Sequence, residues 1–140
     1  DGLHPNGFNQ RYPAPAQDNA PLQDITATFS AWDQLLQHAK ARAEYQDANH
    51  ILYLVRASQL WRAGMGDNWQ HALSRVTAKT LFLPASGDLL LPPALSQHSA
   101  AAMKAGGNTP HYAEIPGIWG HLDGVVGISA VAEQIAEFLN

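Results

Sequence analysis

The stretch that decides the fold class is KTLFLPASGD, residues 79–88. It begins with a short apolar run that ends at Pro84, which is typical of a strand buried inside a parallel sheet. Small and polar residues follow at once, as expected for a loop that leaves the carboxyl end of such a strand. The stretch therefore predicts an α/β architecture with Asp88 in the loop after a buried strand.

The residues downstream of this loop continue a β-α-β-α order. Residues 93–107 are rich in alanine, begin with proline and end on paired glycines, which predicts a helix. Residues 111–115, HYAEI, alternate in polarity and predict a second strand. Residues 129–140 predict a closing helix that is capped by Ser129. This order predicts the edge of a parallel sheet with covering helices.

Three helices are predicted upstream of the sheet. Apolar residues recur at three- and four-residue steps from Asp24 onward, which indicates one buried helix face. The second helix runs through residues 50–64, with Asp47 or Asn49 as its cap and the glycine at its end as its stop. A third, short helix follows Asp67.

Composition excludes several classes of function. The chain has 140 residues with 46% hydrophobic content, which is enough for one globular domain with a core. Its 8 basic and 12 acidic residues give a net charge of −4 without a basic run, so neither nucleic acid nor an anionic membrane surface is an expected partner. No apolar stretch approaches the roughly 20 residues that span a bilayer, so no membrane span is expected. The absence of cysteine excludes disulfides, thiolate zinc sites and a cysteine nucleophile.

A second loop, PGIWGHLDG, carries a histidine after the other predicted strand, at residues 116–124. The carboxyl ends of neighbouring parallel strands meet at one edge of a sheet, so Asp88 and His121 are expected side by side. A carboxylate in this position fixes the tautomer of the imidazole and stabilises the imidazolium when the ring accepts a proton. We therefore predict an Asp88 oxygen within about 2.6–3.2 Å of a His121 ring nitrogen.

Taken singly, each of these residues also has a structural interpretation. Asp88 beside Gly87 could be a turn residue or a helix cap, and His121 could be a hydrogen-bonded loop residue beside Trp119. Their joint placement at the ends of two strands favours the catalytic interpretation. Asp123 is interpreted as a cap of the following turn. The other histidines form no HxxxH or HExxH pair, so no metal site is expected.

An acid–base pair of this kind serves a nucleophile, and the sequence contains no G-x-S-x-G elbow that could carry one. Ser30, Ser58 and Ser74 lie on predicted helices, and Ser86 is too close to Asp88 in the same loop. The nucleophilic serine is therefore expected on an N-terminal segment or on a second chain.

Three stretches together resemble the homoserine O-acetyltransferase group of α/β-hydrolase proteins. They are DANHILYLVRASQLW at 47–61, ALSRVTAKTLFLPASGDLLLPP at 72–93 and EIPGIWGHLDG at 114–124, so the resemblance covers about residues 47–140. It implies a Ser-His-Asp triad in which Asp88 is the acid, His121 is the base and the serine lies outside this chain. It also implies a small-molecule acyl donor, with acetyl-CoA as a candidate, and no permanently bound cofactor.

The resemblance also carries one departure that bears on the acyl acceptor. In homoserine enzymes of this family the histidine is commonly followed by an aspartate that helps to hold the substrate's amino group. Here that position is Leu122, which is closer to members whose acceptor is another alcohol or water. Substrate-binding residues beyond the acid–base pair are not identified by the resemblance.

The expected organisation has three parts: a loop or arm over residues 1–23, a helical lid segment over 24–76 and the C-terminal part of an α/β-hydrolase core over 77–140. The lid helices carry broad apolar faces and could mediate a homodimer. The function indicated is acyl transfer by the C-terminal portion of a serine-dependent acyltransferase. An esterase of the same fold and a non-catalytic binding or assembly subunit are the alternatives. The compartment, cytoplasmic or periplasmic, is left open because the chain begins at Asp1 without a methionine.

Overall fold

A parallel pair of strands, β1 (Leu81–Phe82) and β2 (His111–Tyr112), organises the candidate site. Leu81 pairs with His111 and Phe82 with Tyr112, and a further parallel bridge joins Ala85 to Ile115. The ladder continues to this bridge because the amide of Ile115 donates to the carbonyl of Pro84 over 2.9 Å. The predicted parallel strands are thus confirmed, although the regular part of each is shorter than predicted.

The computed structural model describes residues 4–13, 20–66 and 68–140 of the chain. Its helices, in chain order, are α1 (Pro5–Arg11), α2 (Ala20–Gln23), α3 (Ser30–Ala43), α4 (Ala48–Leu60), α5 (Trp69–Ser74), α6 (Pro93–Ala105), α7 (Asp123–Val126) and α8 (Ala132–Leu139). Single 3₁₀ turns occupy Ala63–Met65, Gly120–Leu122 and Ile128–Val131. Within the described ranges, no helix combines the length and the apolar character that a membrane crossing requires.

Two compact units divide the chain. One is formed by Asp1–Phe8 with Arg62–Asn140, and the other by Asn9–Trp61. The first unit contains both strands, and its buried apolar side chains come from the strand ends, from α6 and from the turn before α8: Ala85, Ala102, Met103, Ile115 and Val131. This unit therefore has the α/β architecture that the sequence predicts, a parallel strand pair with covering helices.

The compact units do not follow the three predicted segments. Helix α5 was predicted within the lid segment 24–76, yet it lies in the unit of the sheet because it packs on α6. The contact is close: a Cβ added at Gly106 would lie 1.8 Å from the carbonyl oxygen of Ser74. The interpretation of the helical segment as a lid stays a prediction.

The first 23 residues are not a loop throughout, which corrects the predicted arm. Residues 5–11 form α1, and Tyr12 directly after it is only 2% exposed. Pro5 stands at the first helical position, where its missing N–H costs nothing, but no apolar period marks this short helix. The middle of the predicted arm, residues 14–19, lies outside the described residues.

Several helix ends differ from the predicted ones. Helix α3 begins at Ser30 rather than near Asp24, whose carboxylate instead accepts the amide of Thr26 over 2.8 Å in a turn. Asp47, one of the two residues predicted as the cap of α4, is confirmed in this role, because its carboxylate accepts the amide of His50 over 2.7 Å.

The predicted end of α4 at Gly64 and the predicted cap of α8 at Ser129 were wrong, because both residues belong to 3₁₀ turns. Helix α4 ends at Leu60 rather than at Gly64, which has φ +70° in the next turn. Ser129 lies inside the turn Ile128–Val131 and does not cap α8. Asp67, predicted to precede α5, lies outside the described residues, and the amide oxygen of Asn68 caps that helix.

Candidate active site

Asp88 and His121 lie in the two loops that leave the carboxyl ends of β1 and β2. The loops start from the bridge between Ala85 and Ile115, where the amide of Ser86 donates to the Ile115 carbonyl over 3.0 Å. A pair of parallel strands must release both loops at the same edge, so the two side chains meet. The carboxylate Oδ2 of Asp88 lies 2.8 Å from Nδ1 of His121, within the predicted range.

The Asp88 carboxylate is held from its other side by backbone donors. Its Oδ1 accepts the amide of Leu90 over 2.8 Å and that of Leu91 over 2.9 Å. The residue itself is 7% exposed. One oxygen therefore performs the turn role that the sequence allowed, and the other is free to orient the imidazole. The structural and the catalytic interpretations of Asp88 are compatible.

Burial and hydrogen bonding act in opposite directions on the pKa of Asp88. Burial by itself would raise it, but hydrogen bonds from Leu91, His121 and Leu90 and the charge of a protonated His121 together hold the pKa below its ordinary value of 3.8. The carboxylate is therefore ionised at neutral pH. Because the pKa of Asp88 is lower in the folded state, its interactions stabilise the fold at pH values above the pKa that Asp88 has in the unfolded chain. This stabilisation is lost as the pH falls through the folded-state pKa.

His121 stands in the 3₁₀ turn Gly120–Leu122 with 46% of its side chain exposed. The turn requires a left-handed residue just before the histidine, and Gly120 supplies it with φ +58°. When Nδ1 donates its proton to Asp88, Nε2 has a free lone pair and can accept a proton. The geometry thus presents an oriented base on a partly open surface.

Asp123 is buried at 2% exposure, and its carboxylate points back into the histidine loop. Its Oδ2 accepts the amide of Trp119 over 2.9 Å, whereas no side-chain cap bond forms at the start of α7. The prediction that Asp123 caps the following turn was therefore wrong. The residue instead holds the segment before His121 in place. The sequence alone does not distinguish this role from capping of the helix that follows.

Gly117→Ala should destabilise the fold, because a Cβ at this position would lie 2.1 Å from Oδ1 of Asp123. The carboxylate would have to move and leave the Trp119 amide without its acceptor. Loss of a buried partner costs about 1–3 kcal/mol, which thermal unfolding would detect as a lower Tm. The matched control is Gly124→Ala, because a Cβ there meets nothing within 4 Å. Equal Tm values for the two variants would contradict this role of Asp123.

Ser58 and Ser74, two of the serines that the sequence places on helices, form hydrogen bonds with the backbone. The hydroxyl of Ser58 donates to the carbonyl of Leu54 over 2.9 Å, and that of Ser74 to the carbonyl of His71 over the same distance. Both are engaged within their own helices. Among the described residues, no group of three His, Asp or Glu side chains is arranged to hold a metal ion.

Comparison with known proteins gives a consistent set of relatives. No family model matches the chain. The homoserine O-acetyltransferase of Geobacter sulfurreducens is 32% identical over 94% of this chain and 35% of its own length. The crystal structure of esterase E22 superposes with a TM-score of 0.87 at 42% identity, over 99% of this chain and 39% of that one.

The crystal structure of homoserine O-acetyltransferase from Bacillus anthracis gives a TM-score of 0.86 at 26% identity, over 99% of this chain and 38% of that one. The chain therefore spans little more than a third of the length of these relatives. Its similarity is to the C-terminal part of α/β-hydrolases of two activities, acyl transfer and ester hydrolysis.

Proposed function

Because this chain belongs to the homoserine O-acetyltransferase-like group of α/β-hydrolase proteins, we propose that it supplies the acid and the base of a Ser-His-Asp triad for acyl transfer. The observation that carries the proposal is the 2.8 Å contact between Oδ2 of Asp88 and Nδ1 of His121. The nucleophilic serine comes from a segment outside this chain or from a second chain.

In the proposed reaction, Nε2 of His121 takes the proton of the serine hydroxyl as its oxygen attacks the acyl carbonyl of the donor. Asp88 stabilises the imidazolium without accepting its proton. The imidazolium then protonates the leaving group, a thiol if the donor is acetyl-CoA or an alcohol if it is an ester. Finally, His121 removes a proton from the acceptor, which attacks the acyl-serine and releases the serine with its proton restored.

The acceptor can be homoserine, another alcohol or water, and two observations bear on the choice. Leu122, next to the base, has an apolar side chain that is 37% exposed and offers no charge to an amino group. The chain is also more similar to esterase E22, at 42% identity, than to the homoserine O-acetyltransferases cited above, at 26–32%. These observations support ester hydrolysis as the second candidate function.

The test is to incubate the complete protein, including its serine-bearing part, with p-nitrophenyl acetate or with acetyl-CoA, each with and without homoserine. We expect a transient acetyl group on one serine, located by peptide mass spectrometry after acid quenching. O-acetylhomoserine as the product would identify a transferase, and acetate alone would identify a hydrolase. A folded protein that becomes acylated by neither donor would contradict the proposal and favour a binding or assembly role.

The second unit of the chain offers surfaces for the proposed partners. Large apolar side chains are exposed on or beside α3 and α4: Phe29 at 52%, Trp32 at 56%, Leu54 at 55% and Trp61 at 74%. Exposed apolar surface of this kind is characteristic of an interaction surface. It supports burial of these helices against the serine-bearing part or in a homodimer.

A further inference from the structure

Helix α1 contains a glycine in its interior, which local energetics disfavour. Gly7 lies within Pro5–Arg11 and is buried. A glycine inside a helix is about 1 kcal/mol less favourable than alanine. A helix of this length is also marginal in isolation, so contacts with other parts of the chain must stabilise it. The glycine therefore calls for a tertiary reason.

The reason is the close approach of α1 to the loop that carries His121. A Cβ added at Gly7 would lie 2.1 Å from the carbonyl oxygen of Ile118 and 3.0 Å from its carbonyl carbon. It would also lie 3.3 Å from Cε3 of Trp119. The first distance is far inside van der Waals contact and involves backbone, so a side-chain rotation cannot relieve it. Only glycine fits here without displacing the loop.

The segment that α1 contacts leads directly into the base. Ile118 and Trp119 immediately precede Gly120, and the next residue is His121. The amide of Trp119 is fixed by the buried carboxylate of Asp123. The loop is therefore held on one side by Asp123 and contacted on another by Gly7. Because only two residues separate Ile118 from His121, a displacement of the Ile118 carbonyl also moves the imidazole.

The same N-terminal segment also lies close to the loop of the acid. A Cβ added at Gly87 would lie 3.3 Å from Cδ2 of His4 and 3.8 Å from Cα of Gly120. Gly87 directly precedes Asp88. The amide of Phe8 donates to the carbonyl of His4 over 2.9 Å, which ties the two contact points together through the first turn of α1. One short segment thus bridges the acid loop and the base loop.

We propose that Gly7 is a positioning residue, and that α1 acts through it to set the distance between His121 and Asp88. The expected effect on kcat rests on the proposed acyl transfer, whereas the expected change in the contact between His121 and Asp88 does not. A Cβ at residue 7, 2.1 Å from the Ile118 carbonyl oxygen, forces α1 and the loop apart by an amount of the order of 1 Å. Displacements of this size can lower a catalytic rate about 10²-fold.

The test is Gly7→Ala in the complete protein, compared with Gly124→Ala. The control adds the same methyl group within a helix beside the same loop, where it meets nothing within 4 Å. We expect Gly7→Ala to lower kcat about 10²-fold, normalised to sites titrated with a fluorophosphonate, with a smaller change in KM. We also expect the low-field proton resonance of the His121 Nδ1–H to shift or disappear. The control should keep both properties.

A second variant covers the case in which Gly7→Ala does not fold. His4→Ala removes the contact with Gly87 without adding bulk, and it should shift the same resonance and lower kcat several-fold. Wild-type kcat and resonance in a folded Gly7→Ala, or in His4→Ala if Gly7→Ala fails to fold, would overturn the proposal. If the wild type turns over no acyl substrate, the proposed function fails, and the resonance alone decides the positioning role.

Discussion

His121→Ala should abolish acyl turnover by the complete protein, with a fall in kcat on the order of 10⁶-fold, as expected when the base of a serine triad is removed. The serine then keeps its proton and cannot attack the acyl carbon. Folding should be retained, because the imidazole is 46% exposed and Asp88 keeps its backbone donors at Leu90 and Leu91. The measurement is single-turnover acylation by p-nitrophenyl acetate, with Tm recorded in parallel.

The matched control for this change is His98→Ala, which removes an exposed imidazole from helix α6, where alanine is a good helix former. Imidazole added to the solution should restore part of the activity of His121→Ala, because the position of the missing side chain is open to solvent, and it should not change the activity of His98→Ala. Wild-type turnover in a folded His121→Ala would refute the assignment of the base.

Asp88→Asn should lower kcat by about 10⁴-fold, because the asparagine can stabilise the wrong tautomer of the base. Its carbonyl oxygen can still accept the amides of Leu90 and Leu91. Its NH₂ group would then face Nδ1 of His121 as a donor, so the imidazole proton would move to Nε2. In that form the ring cannot accept the proton of the serine. The measurement is the pH dependence of kcat/KM with an acetyl ester.

Asp24→Asn is the control for this change, since it converts an exposed carboxylate in a turn of the other unit to an amide. Its kcat/KM should match that of the wild type across the pH range. A loss in Asp88→Asn of less than about tenfold would mean that the carboxylate serves the turn alone.

The acid–base pair was predictable because its placement follows from local patterns. An apolar run ended by Pro84 and an alternating run ended by Pro116 indicate where the two strands stop, and the loops after them carry Asp88 and His121. Parallel pairing of the two strands then leaves little freedom in where these side chains meet. The carboxylate's second contact, with Leu90 and Leu91, is also local, and the sequence offered it as the alternative to catalysis.

The role of Asp123 could not be obtained in this way. An aspartate at the start of a helical turn is usually a forward cap, and nothing in the sequence indicates that its carboxylate folds back to Trp119. The direction depends on Gly117, which leaves space for the carboxylate only in the folded loop. The sequence pattern does not predict that Gly117 and Asp123 lie against each other.

The sequence by itself determined the α/β class, the order of the elements after residue 79 and the pairing of Asp88 with His121, because short-range periodicity and strand ends encode them. Only the tertiary structure decided that residues 5–11 are a helix and that Gly7 lies against Ile118. The physical reason is that a seven-residue helix with an interior glycine has no local preference strong enough to form it. It exists because the loop that carries His121, far away in sequence, provides a surface on which Gly7 packs.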